Sequence, residues 1–95
     1  MIKIIQDDAA DPLIFQVTIT DNDGETHHRV TMSNDTYKEN FNISYTPVQC
    51  VEAAFCFLLE REPKEAILSR FDITVISGYF PEFKHEISTY MKSLK

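Results

Sequence analysis

Glycine is nearly missing from this chain, with two in 95 residues. That scarcity excludes phosphate-cradling and dinucleotide-binding loops, which need several glycines at fixed spacing so that backbone can approach a ligand. Combined with only four prolines and 43% hydrophobic residues, it also argues against a disordered chain. Long apolar runs are missing as well. No stretch approaches the ~20 residues of a membrane span, and Met1 leads into a strand-like segment where a secretory signal would carry an apolar core. Cysteine is limited to Cys50 and Cys56, six apart on one expected helix and on different sides of it. They cannot pair with each other there, so the reading is two reduced, buried thiols in a cytoplasmic protein. Finally, basic runs are lacking: nine Lys and Arg stand against fifteen Asp and Glu, for a formal net charge of −6. Such a chain repels phosphate backbones, and direct nucleic-acid binding is disfavoured. Arg61, Lys64 and Arg70 are the residues from which a local basic patch could be built.

What is present is one domain's worth of ordinary globular sequence, enough to bury a modest core unaided. Its strongest signal is Thr46 to Pro63, TPVQCVEAAFCFLLEREP. Thr46 can cap a helix, Pro47 suits the first helical position, and Gln49 completes a capping box. Pro63 marks the far end, because its ring disfavours helical geometry in the residue before it. Between these marks, Val48, Val51, Phe55, Leu58 and Leu59 form a broad apolar stripe, while Cys50, Ala53 and Phe57 form a second patch nearly opposite. A helix over 47–62 with apolar residues on two sides is expected to lie between two layers, or between its domain and a partner.

The flanking segments supply the layers. Ile2–Gln6 is β-branched and bounded by Asp7 and Asp8, and reads as a strand. Leu13–Thr20 alternates, with Phe15, Val17 and Ile19 on one face. Asp21-Asn22-Asp23-Gly24 is a turn, and Glu25–Ser33 alternates again, with His28, Val30 and Met32 together. These runs predict a β-hairpin or three-stranded meander over about 2–6, 13–20 and 25–33. Asn34 or Asp35 can cap a short helix over Thr36–Phe41 that Tyr37 and Phe41 anchor. After Pro63, a helical turn is expected over 64–68. Phe71, Ile73 and Val75 alternate like a strand, but Asp72 as a cap and the spacing of Ile73, Ile76 and Phe80 favour a helix over 73–80. Pro81 opens a last helix, 81–94, with Phe83, Ile87, Tyr90 and Leu94 inward and Met91 beside them. The order of strands then helices predicts an α+β fold in a single domain, 1–95.

No motif carries a catalytic claim. His27 and His28 adjoin the acidic turn, yet neighbours on a strand face opposite ways and cannot chelate together, and the turn misses the calcium-loop pattern. Both histidines read as solvated turn and strand residues. Glu82-x-x-His85 matches one quarter-site of a helical di-iron centre, which needs two such motifs and two more Glu. No serine sits in a nucleophile elbow, and the phenylalanines flanking Cys56 do not suit a reactive thiol. No cofactor or metal is expected. The charged junction Glu60-Arg61-Glu62-Pro63-Lys64-Glu65 reads as a solvated helix end or, more sharply, as a docking surface.

EAAFCFLLEREPKEAIL followed by FDITVISGYFPEFKHEI resembles a family of short bacterial proteins of about this length that has no assigned activity. The resemblance covers roughly Val48 to Ile87, with a similar Thr-rich hairpin before it. It implies a small free-standing cytoplasmic domain and carries over no site residue. Together the features favour a non-enzymatic protein-interaction or regulatory domain that binds a protein partner or a second copy of itself. Its expected interaction surface comprises Cys50, Ala53, Phe57, Arg61 and Lys64. The alternatives are an acidic, antitoxin-like or transcription-associated partner of a basic protein and, behind it, a small metal- or ligand-binding enzyme using His27, His28 or His85.

Overall fold

The computed structural model describes residues 1–8 (Asp8 by its backbone only), 10–41 and 43–94. Ala9 and Asn42, which fall in the loops expected before Leu13 and before Pro47, lie outside the described residues, as does Lys95. The chain is α+β. Strands β1 (Ile2–Asp8), β2 (Leu13–Asp21) and β3 (Gly24–Met32) form the antiparallel meander, and β4 (Arg70–Asp72) joins β3 in parallel, giving the order β1-β2-β3-β4. Four helices follow the meander: α1 (Asn34–Asn40), α2 (Pro47–Leu59), α3 (Val75–Tyr79) and α4 (Phe83–Lys92).

The β2–β3 turn shows why its sequence matters. Asp21 pairs with Gly24 across the end of the hairpin, and the Asp21 carboxylate accepts the Asp23 N–H at 2.8 Å. Gly24 follows with φ +128°, a conformation that a side chain would strain. From there the pleat alternates as expected. Leu13, Phe15, Val17 and Ile19 of β2 are buried with His28, Val30 and Met32 of β3, while Gln16, Thr18, His27 and Arg29 lie on the opposite, open face.

Helix α2 crosses the buried face and is covered on both sides. Its start is the expected capping box: the Thr46 hydroxyl accepts the Gln49 N–H at 3.2 Å, and the Gln49 side chain accepts the Thr46 N–H at 2.8 Å. Phe55 points to the sheet, its ring 5.6 Å from His28 and 6.0 Å from Phe71. Phe57 points to the C-terminal helices, its ring edge-on to Phe83 at 5.0 Å, Tyr90 at 5.6 Å and Phe80 at 5.9 Å. Burying rings of this size contributes ~1.5–3 kcal/mol each. The three-layer stack of sheet, α2 and α3–α4 is therefore where most of the core lies.

Several boundaries differ from expectation. Ser33, not Asn34 or Asp35, caps α1, its hydroxyl accepting the Thr36 N–H at 3.0 Å. Helix α2 ends at Leu59, three residues short of Glu62, and the Arg61 and Glu62 N–H groups both turn back to the Leu58 carbonyl at 2.9 Å. Residues 64–68 form a single 3-10 turn, Lys64–Ala66, and α4 begins at Phe83, two residues after Pro81. The helix expected over 73–80 is present but shorter, and a short strand precedes it. Arg70–Asp72 pairs with β3, and the helical part is only Val75–Tyr79.

Candidate functional site

The five residues expected as a surface do not make one. Cys50, Ala53 and Phe57 have no exposed area, since α2 is covered on both sides. The Cys50 thiol is pushed up to about 12 by burial. The half-buried Cys56 thiol is also raised, first by burial and then by Glu52 and Glu60, so both stay protonated at neutral pH.

Arg61 ties α2 to α4. Its guanidinium donates to the Phe57 carbonyl at 3.1 Å, to Glu86 at 2.8 Å, to Glu82 at 3.2 Å and to the Tyr90 hydroxyl at 3.2 Å. It also lies 3.6 Å above the Phe57 ring, and Tyr90 in turn donates to Glu60 at 2.7 Å. This network satisfies a carbonyl at the helix end and holds the guanidinium charged, with Tyr90 the largest influence. Lys64 is buried and paired with Asp21 at 2.8 Å and Glu65 at 2.6 Å, bonds that raise its own pKa and lower theirs. Arg70 is on the open sheet face, in register with Arg29. The three basic residues thus serve three separate places and form no common patch.

The histidines also separate. His27 is exposed, 2.9 Å from Glu25. His28 is buried, which corrects its reading as a solvated strand residue. Its Nδ1 lies 2.7 Å from the Leu68 carbonyl, which can only accept, so Nδ1 carries a proton; Nε2 meets the Thr26 hydroxyl at 2.9 Å. The alternation that groups His28 with Val30 and Met32 was the signal that it faces inward. Among the described residues, no three His, Cys, Asp or Glu side chains converge as a metal site would require. No described helix is long and apolar enough to cross a membrane.

The bond from His28 to Leu68 fixes one lip of a concavity. After α2 stops, the chain runs through the 3-10 turn to the sheet edge. There Arg29 N–H donates to Ser69 O at 2.7 Å and Ile73 N–H to Thr31 O at 2.9 Å. It returns as the five-residue α3, which Asp72 positions by accepting the Thr74 hydroxyl at 2.6 Å and its N–H at 3.2 Å. Burial alone would raise the Asp72 pKa, but these donors and the Thr31 hydroxyl at 2.6 Å bring it below the usual carboxylate range.

Helix α3 spans only Val75–Tyr79 where it faces the end of α2. A groove of about 430 Å³ lies between Leu58, Ile67, Phe71, Ile76 and Phe80. Leu68 and Tyr79 form its lips and are 46% and 68% exposed. Glu62, half-buried, is the one charged residue among its described lining, and its carboxylate has no hydrogen bond or ion pair with any described residue. Sequence reasoning missed the groove. The sequence pattern puts Leu68 in a helical turn and Tyr79 in a helix, without showing that both side chains stand open beside the charged junction at Glu62.

Chemically, the groove offers apolar contact and one half-buried acidic residue, with neither nucleophile nor proton relay in its lining. Comparisons with protein-family models, curated proteins and solved structures find no match to this chain.

Proposed function

We propose that this protein is a small non-enzymatic docking domain that binds an apolar segment of a basic partner protein in the groove between α2, β4 and α3. The observation that carries the reading is Glu62, a half-buried residue whose carboxylate has no partner among the described residues, at the wall of an apolar groove with two exposed lips. An apolar occupant would cover this carboxylate and remove its water, so one carrying Lys or Arg beside apolar anchors is favoured over an apolar one alone. The volume suits two or three large apolar side chains, the reach of a short helix or turn laid into a groove. The net charge of −6 extends the same preference over the rest of the surface, favouring encounter with a basic protein. An acidic regulator that neutralises a basic protein is one case of this activity. A reducing, cytoplasmic setting belongs to the reading and is supported by two separate, unpaired thiols.

Random-peptide display on the purified protein tests it. Selected peptides are expected to pair apolar anchors with at least one Lys or Arg and to lose binding to the Leu68→Glu and Tyr79→Asp variants. Glu62→Gln should keep apolar binding while losing the preference for the basic residue. Peptides that bind these lip variants unchanged would overturn the reading.

A further inference from the structure

The sheet has two edges, and they are unequal: β4 is three residues long, while β1 is seven. At the start of β1, Met1 and Thr20 exchange both backbone bonds, at 2.7 and 2.9 Å. Exchanging pairs alternate along an antiparallel ladder, so Lys3 and Ile5 also turn their N–H and C=O toward β2. Ile2 and Ile4 therefore turn theirs outward. Among the described residues no backbone hydrogen bond reaches Ile2 or Ile4 from another element. A row of outward polar groups on a long strand is a template for a further strand.

The side chains of β1 say which strand. Lys3, Ile5 and Asp7 are exposed on the open face, and Ile5 is 54% exposed. Lys3 has no ion pair among the described residues, and Asp7 uses one oxygen, Oδ2, to accept the Gln16 side chain at 2.8 Å. We propose that two copies of this chain pair through β1, antiparallel, about a two-fold axis at Ile5, joining their sheets into one of eight strands. In that register Ile5 meets Ile5 of the second copy, and each Lys3 meets an Asp7. A two-fold at Lys3 would oppose two ammonium groups, and one at Asp7 two carboxylates. Only the axis at Ile5 joins opposite charges and apolar surface together. Ile5 and its counterpart do not exchange backbone bonds, so their side chains approach most closely, and Asp7 follows where the β1 register shifts between Gln6 and Asp8. The contact is isologous and closes at two copies. The groove lies beside β4, at the other edge of the sheet, so pairing leaves both grooves open.

Sedimentation of the full chain over a dilution series tests the proposal. The wild type is expected to pass from dimer to monomer on dilution. Ile5→Lys and Lys3→Asp, both at exposed positions, should each weaken the dimer by about tenfold or more. Their thermal melts at monomer concentrations should match the wild type. Lys3→Asp with Asp7→Lys restores opposite charges and should recover the dimer. In the wild type, amide exchange at Ile4 should slow as concentration rises. A wild type that stays monomeric at every concentration, a dimer indifferent to Ile5→Lys, or an Ile4 exchange rate independent of concentration would overturn it.

Discussion

Arg61 and Phe57 show how much one side chain can decide in a domain this small. Phe57 sits beneath three rings of the C-terminal layer, and Arg61 stacks on its outer side while gripping Glu82, Glu86 and Tyr90. Phe57→Ala removes the ring on which that layer rests and is expected to cost ~3–5 kcal/mol, enough to leave much of the chain unfolded. Denaturant unfolding followed by circular dichroism reads this directly. Arg61→Ala loses charged hydrogen bonds whose acceptors are partly in water, so its cost is smaller, about 1–2 kcal/mol. Arg61→Lys recovers little of it, because an ammonium cannot fork between two carboxylates while covering a ring. Both residues lie within the apolar and charged patterns of the sequence, yet their joint role was not legible. Helical spacing placed Phe57 on a second face of α2 without saying whether protein or solvent met it. His28 was closer to legible: its phase with Val30 and Met32 already pointed inward.

Elements differ in the same way. Helix α2 and the β2–β3 hairpin were readable because each repeats its period several times and ends in chemistry with a known backbone effect: Thr46, Pro47 and Gln49 at one end, Asp21 to Gly24 at the other. Thr46→Ala should cost about 1 kcal/mol by leaving the Gln49 N–H without its acceptor, seen as a melting temperature lower by several degrees. Strand β4 was not readable, being three residues long, whereas α3 falls inside the helix expected over 73–80. A period cannot show itself in so few positions. What makes β4 a strand is pairing of Arg70 with Arg29, forty-one residues earlier. The groove inherits this opacity, since its walls come from α2, the 3-10 turn, β4 and α3.

For the whole molecule, charge sets the response to pH. Asp21, Glu65, Asp72 and Glu82 all have folded pKa values below their ordinary ones, Glu82 through backbone N–H bonding and then Arg61. A depressed carboxylate contributes stability that is present above its unfolded pKa and is lost as pH falls through the folded one. The melting temperature should therefore be nearly flat around neutrality and fall below about pH 4. Lys64 has the opposite sign. Its raised pKa contributes stability that is present below the unfolded value and is lost as pH rises through the folded one, giving a second decline on the alkaline side. Melts of Lys64→Met across pH should retain the acid-side fall from Asp72 and Glu82 while removing the alkaline decline due to this residue.

The central claim is that the groove beside β4 docks an apolar, basic segment, and chemical-shift mapping tests it most directly. Isotope-labelled protein would be titrated with a display-selected peptide bearing apolar anchors and one arginine. The predicted result is saturable shifts concentrated at Leu58, Glu62, Ile67, Leu68, Phe71, Ile76 and Tyr79, with the Glu62 shift absent for a peptide whose arginine is replaced by glutamine. Shifts spread over the open face of the sheet, with the groove amides unmoved, would contradict it.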